Sequence, residues 1–309
     1  MTDPDLETPR PPSGEGFSDA VTLAFGDAEA QLYGLLRVGL VPEHPVHPGV
    51  ATATGTAARA SGLALLFAGR DLAAPGVVGA VPVAEPGYAP PELQKMGIET
   101  VEPLKRWHAH FEGDDGGFSL EVAALSPPLT FGESDPAGVA AASQGYEQLC
   151  LVEGTVLAGG EEQPIRCLGQ RGHTWGAPDW DRLELTRTLS AWMGEDAGLA
   201  LASVRPARAK AHAEEAVSAF LFEAVDDGVA ARPIGDARLS TTYDGAGRQR
   251  RAGLELWENE EAEYPRRASG EVLCGTSLEL GRLRLDCAFF AWHMDGREGV
   301  GRYDVLRRV

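Results

Sequence analysis

The chain has 309 residues, 43% of them hydrophobic, enough for one large domain or two of about 150 residues with full cores. Its 46 Asp plus Glu against 27 Lys plus Arg give a formal charge of -19, which opposes binding to nucleic acid or to anionic membranes. The longest apolar run, Leu63-Ala64-Leu65-Leu66-Phe67-Ala68, is far short of the roughly 20 residues of a spanning helix, so no stable membrane insertion is expected.

Residues 1–16 are rich in Pro and charge, lack a basic and apolar leader pattern, and read as a disordered arm with nothing to bury. Cys150, Cys167, Cys274 and Cys287 show no C-x-x-C spacing, which argues for free thiols and a cytoplasmic location rather than a zinc site or redox pair.

From Phe17 onward, short alternating apolar runs recur between Gly, Pro and Asp clusters, the spacing of antiparallel strands. The clearest hairpin spans Leu104 to Leu125, with Trp107, Ala109 and Phe111 alternating with Arg106, His108 and His110 before a Gly-rich turn. On this pattern His108 and His110 fall on its polar face. A second hairpin runs from Tyr146 through Val156, turns at Gly159-Gly160 and returns through Ile165 and Cys167. Leu183 to Ala191 and Leu199 to Val204 read as further strands, and Ala216 to Ala224 as another after a helix-prone start at Ala207. In the last hairpin, Glu271 to Met294, a turn centred on Gly281 sets Cys274 opposite Ala288, out of register with Cys287 and unsuited to a disulfide. His44 and His47 fall in a Pro-rich loop without metal-ligand spacing.

Strand density is similar on both sides of mid-chain, and an eight-stranded barrel uses roughly 130 to 150 residues. The expected fold is therefore all-β, two consecutive antiparallel β-barrels over residues 17–165 and 166–309. Continuous apolar faces ending at Leu280 and Phe289 point to an apolar ligand cavity.

Mid-chain stands Gly169-Gln170-Arg171-Gly172-His173-Thr174-Trp175-Gly176-Ala177-Pro178-Asp179-Trp180, as one strand leaves its hairpin. His173 and Asp179 can move protons, and Trp175 and Trp180 offer flat apolar walls. The alternative is a buried turn whose His and Trp N–H groups are satisfied by hydrogen bonds, with Asp179 capping a turn and Arg171 in an ion pair.

This stretch resembles the signature G-x-R-D-H-S-W-G-x-R-D-W of the AttH/carotenoid 1,2-hydratase-like superfamily of two-domain, lipocalin-like (calycin-like) proteins. Gly169, Arg171, His173, Trp175, Gly176, Asp179 and Trp180 fit; Gly172 replaces Asp, Thr174 replaces Ser and Pro178 replaces Arg. Gly145-Tyr146-Glu147-Gln148 and the closing Asp295 to Gly301 extend the likeness. The resemblance implies that both barrels are lipocalin-like and that an isoprenoid or other lipid-like molecule is bound. It also implies cofactor-independent hydratase, isomerase or cyclase chemistry at C=C bonds, or carriage of a hydrophobic ligand without chemistry. Alkene protonation needs an acid of raised pKa in a dry pocket with aromatic walls. The candidate proton carriers are His173 and Asp179; Trp175, Trp180, Arg171 and Tyr146 are the candidate substrate contacts. Without an HExxH, P-loop, GxSxG or post-strand GxGxxG pattern, no metal and no cofactor is implied.

Overall fold

A computed structural model describes residues 4–11, 16–42, 58–209, 214–226, 228–259 and 261–309. His44, His47 and part of the helix-prone stretch after Ala207 lie outside the described residues.

The molecule is nearly all β, two curled antiparallel sheets in sequence. The first contains β1 (Ser18–Asp27), β2 (Leu32–Pro42), β3 (Ala58–Ala68), β4 (Asp71–Val83), β5 (Met96–Glu102), β6 (Arg106–Glu112), β7 (Gly116–Ala124), β8 (Leu129–Phe131), β9 (Ser143–Ala158) and β10 (Glu161–Gly176). A short helix α1 (Pro136–Ala141) precedes β9. The second sheet contains β11 (Leu183–Gly194), β12 (Ala197–Pro206), β13 (Ala216–Val225), β14 (Gly228–Pro233), β15 (Asp236–Tyr243), β16 (Gln249–Trp257), β17 (Arg266–Leu280), β18 (Leu283–Met294) and β19 (Arg297–Arg308).

Strand order in the first sheet is β4-β3-β2-β1-β10-β9-β7-β6-β5, with β8 pairing on β9; in the second it is β14-β13-β12-β11-β19-β18-β17-β16-β15. In each, the unit's first strand pairs with its last. The topology therefore repeats although the sequence shows no repeat, because period-2 patterning and turn chemistry specify a sheet without requiring shared residues.

Both hairpins expected around Trp107 and Gly159 form, the second as two 16-residue strands. The boundary expected after residue 165 falls inside β10, which continues through Gly176 and pairs with β1 and β9 from Gly169 to Gly176. The motif up to Gly176 is thus a strand of the first sheet, and the chain crosses between units in the loop around Ala177 to Arg182. The N-terminal arm also departs from expectation, since Pro4–Glu7 forms a 3-10 turn with Glu7 buried. Its carboxylate finds an ionic partner, Arg171, and further donors inside the first barrel, which offsets the cost of burying the charge.

Alternation along the strands sorts side chains into three layers. One cluster, with Val21, Leu23, Phe25, Trp107, Phe111 and Phe118, fills the interior of the first sheet. Another, with Leu189, Leu201, Leu254, Phe290, Trp292 and Tyr303, fills the second. A third joins their outer faces, where Phe289 stacks on Tyr33 at 5.6 Å between ring centres and meets Phe67 edge-on at 6.0 Å. Burying each such side chain contributes about 1.5–3 kcal/mol. The apolar face read as a cavity wall is largely this seam: Cys274, Cys287 and Phe289 pack in it, whereas Leu280 is exposed. An irregularity between Val272 and Cys274 switches the strand's facing, sending Val272 to the interior and Cys274 to the seam. The turn between β17 and β18 is the pair Gly281-Arg282, which moves Cys274 opposite Phe289 rather than Ala288. All four cysteines are free.

Candidate functional site

β10 and its neighbour β9 serve two compartments at once, because alternate residues of a strand face opposite sides of its sheet. Arg171 and His173 point into the first barrel beside Tyr146; Gln170, Gly172 and Thr174 point towards the second sheet beside Glu147.

Inside the barrel the polar groups are densely paired. Arg171 holds Glu7 through two contacts, Nη2 to Oε2 at 2.6 Å and Nη1 to Oε1 at 3.1 Å. The same carboxylate accepts from the Tyr146 hydroxyl at 2.9 Å, Trp107 Nε1 at 3.1 Å, the Leu104 amide at 3.1 Å and the Thr100 hydroxyl at 3.3 Å. Arg171 also donates to the Tyr146 hydroxyl and stacks over Trp107 at 4.5 Å. Burial pushes the Tyr146 phenol well above its ordinary pKa, against the opposing pull of Arg171.

His173, fully buried, is gripped at both nitrogens. Nδ1 lies 2.6 Å from the Leu6 carbonyl, which can only accept, so Nδ1 carries a proton. Nε2 lies 2.5 Å from Asp19 Oδ1 and 2.8 Å from the Tyr88 hydroxyl. Tyr88 donates to Asp19 at 2.9 Å, and the Arg10 amide donates to its other oxygen at 2.6 Å. Burial first, and the Asp19 charge second, hold the Tyr88 phenol far above its usual range. Both ring nitrogens of His173 are thus taken up by groups inside the barrel.

Between the sheets lies a cavity of about 450 Å³. Its walls include Leu129, Phe131, Trp175, Trp180, Phe220 and Leu306, and α1 lines it, fixed to β13 by the Ala137 amide donating to Ser218 Oγ at 3.1 Å. Trp175 bridges the compartments: it lines the cavity, its ring centre lies 4.9 Å from that of His173, and the Arg10 guanidinium lies 4.4 Å over it.

One titratable group at this wall, Glu147, was not among the residues singled out from the sequence as site candidates. Glu147 lines the cavity and also a polar recess of about 80 Å³ formed with Arg37, Gly172 and Arg302. Desolvation pushes its carboxyl up to about 7, with the Arg302 charge opposing, and its Oε2 is buried without a hydrogen-bond partner. Arg302 is itself bound to Asp304, and burial lowers neighbouring Arg37 to about 10. Glu147 pairs directly across from Gly172. A Cβ on Gly172 would stand 3.2 Å from Glu147 Cγ and 3.6 Å from its Oε1. The space beside the missing motif acid is therefore taken by a carboxylate from the adjacent strand. With Gly159-Gly160 as a two-residue turn, counting outward along the hairpin already sets Glu147 opposite Gly172, which is the signal that could have found it.

The structure brings Arg171, His173 and Tyr146 together inside the barrel and Trp175 with Trp180 at the cavity. Asp179 joins neither group. It is exposed, and its Oδ1 accepts the Asp181 amide at 3.0 Å, the local turn cap. His108 and His110 lie side by side, half-buried, with ring centres 6.1 Å apart.

Two antiparallel curled sheets of this kind match the AttH fold. The chain belongs to the family described as a domain of unknown function, DUF7064, whose model matches residues 3–309. Its fold is similar to that of a Nitrosomonas europaea protein assigned as AttH, at TM-score 0.62 and 13% identity over 95% of this chain and 93% of that one. It is also similar to CghA, at TM-score 0.58 and 12% identity over 95% and 88% of the two chains. Kievitone hydratase from Nectria haematococca aligns at TM-score 0.51 and 12% identity, covering 94% and 89%. Among curated proteins none matches. No helix of the described residues is long and apolar enough to cross a membrane.

Proposed function

We propose that the chain binds an apolar small molecule in the inter-sheet cavity and protonates one of its C=C bonds with Glu147, as a cofactor-independent hydratase or isomerase. One observation carries the reading: a half-buried Glu147 carboxyl, its Oε2 sealed from solvent without a partner, poised near neutrality at the wall of a largely apolar cavity. The hydratase among the structures of similar fold agrees with it. His173 becomes a positioning group for Trp175, and Asp179 leaves the list of proton carriers.

In the proposed step the neutral Glu147 carboxyl gives its proton to one alkene carbon. The π pair forms the new C–H bond, leaving a cation on the other carbon and a carboxylate on Glu147. Trp175 and Trp180 present ring faces that stabilise the cation. Water adds at the cation and returns its surplus proton to the carboxylate, giving hydration; transfer of a proton from a neighbouring carbon to the same carboxylate, with the C–H pair forming the new C=C bond, instead gives isomerisation. Both routes balance without an oxidant or reductant.

Organic extraction of purified protein and mass spectrometry identifies a candidate substrate class, which is then supplied to the parent chain and to Glu147→Gln. The variant is expected to bind with similar affinity and to turn over about 10²–10⁴-fold more slowly. Parent turnover is expected to fall as pH rises past about 7, where the acid ionises. A stoichiometric, unaltered lipid with no turnover in either protein replaces this reading with carriage.

A further inference from the structure

On the side of β10 opposite Glu147, the interior of the first barrel holds a dense set of hydrogen-bond donors. Five groups of its strands and loops converge on one carboxylate: the Arg171 guanidinium, the Tyr146 hydroxyl, Trp107 Nε1, the Leu104 amide and the Thr100 hydroxyl. Paired guanidinium N–H groups, an indole N–H and a backbone amide aimed at two oxygens make a carboxylate cradle. The carboxylate in it belongs to Glu7, on a segment that is no part of either sheet. Glu7 is the single buried residue of described positions 4–11; Leu6, Pro9 and Arg10 are half-buried and the rest exposed. The contacts that hold the arm include Glu7 itself, the Leu6 carbonyl on His173 Nδ1, the Arg10 amide on Asp19 and the Arg10 guanidinium over Trp175.

We infer that this cradle is a binding site for small aliphatic monocarboxylates, occupied in this structure by the chain's own Glu7, and that such a ligand competes with the arm for it. The ligand's carboxylate takes the place of Glu7 and its alkyl tail the place of Leu6. A tethered competitor acts at an effective concentration on the order of millimolar. Tail length then decides the contest, at roughly fourfold in affinity per buried methylene. Displacement also frees His173 Nδ1 and uncovers Trp175, so occupancy of the cradle is communicated to the wall of the inter-sheet cavity.

The full-length Glu7→Ala variant, titrated with sodium propionate against matched sodium chloride, tests the cradle. The expected result is a saturable rise in Tm of several degrees, absent in the parent and in Glu7→Gln, whose amide still fills the site. If Glu7→Ala does not fold in chloride, refolding yield in propionate against chloride gives the same reading. Competition is tested on the parent with octanoate, following cleavage of the Glu7–Thr8 bond by a glutamyl endopeptidase, since that bond is shielded while Glu7 is seated. Saturable acceleration at this bond is expected. A Glu7→Ala protein indifferent to propionate overturns the cradle as a site, and parent cleavage unchanged by octanoate overturns displacement.

Discussion

Two carboxylates, the buried Glu7 and the half-buried Glu147, flank the same strand, and their surroundings differ in how many donors each receives. Glu7, on the barrel side, receives two guanidinium N–H groups and four further donors. Glu147, on the seam side, faces Gly172 and leaves Oε2 without a donor. Burial alone pushes a carboxyl towards neutrality, and a full donor set opposes that push. The strand thus places Arg171 and His173 in paired contacts inside the barrel and sets Gly172 opposite the Glu147 carboxyl at the seam.

Removing the donor set should give the largest effect. Arg171→Met leaves the Glu7 carboxylate buried without its charge partner, a loss of about 3–5 kcal/mol in unfolding free energy by urea titration. A loss under about 1 kcal/mol would mean that the two carboxylates are not held differently.

The pH dependence of Glu147 sharpens the same contrast. Its folded pKa, about 7, lies above the ordinary 4.5, so the folded state holds the proton more tightly than the unfolded chain does. The sign follows: this carboxyl costs nothing below about pH 4.5, its cost grows as pH rises from there, and it is complete above about pH 7. The shift corresponds to about 3 kcal/mol at most. Glu147→Gln, which cannot ionise, should therefore be more stable than the parent at pH 8 and equal to it at pH 4.5, read as Tm against pH. A parent and variant that run parallel across this range would place the Glu147 carboxyl in a well-solvated or well-paired setting.

The contrast was partly legible in the chain. Alternation around Trp107 and Gly159 specified hairpins and their facing, since period-2 burial leaves few registers open. Arg171, His173 and Trp175 stood out by residue type. Their partners Glu7, Asp19 and Tyr88 did not, because they reach the motif from 164, 154 and 85 residues away and no local pattern marks such pairs. Glu7 was hidden twice over, since an arm of Pro and charge gives no sign of burial until its ionic partner is known. Asp179 stands apart from the motif's buried residues because the chain leaves β10 after Gly176 and passes through Ala177-Pro178, so nearness in sequence to His173 does not become nearness in space.

A smaller effect separates the two tryptophans. Trp175 is braced by His173 and Arg10, whereas Trp180 packs with Leu183, Val204 and the alanines of α1. Both line the cavity, so each truncation to Ala should weaken binding of the extracted ligand by about 1–3 kcal/mol, measured by calorimetry. Trp175→Ala should in addition disturb the imidazole resonances of His173, and Trp180→Ala should leave them in place. Equal disturbance by both would dissolve the division between barrel and seam.

The smallest effect is expected at Asp179. Its side chain is exposed, its Oδ1 accepts the Asp181 amide at 3.0 Å, and its carbonyl accepts the Arg182 amide at 2.9 Å. The loop it caps is tied to the second unit by Asp181 and Arg282 at 3.1 Å. Asp179→Asn keeps an oxygen that can accept from Asp181, so stability should change by less than about 0.5 kcal/mol, as for most surface substitutions. Turnover and its pH profile should stay at the parent's values, because no proton on the proposed route passes through this carboxylate. Loss of turnover in a stable Asp179→Asn protein would move the acid out of the dry seam and onto the surface loop, and Glu147 would then join Glu7 as scaffold.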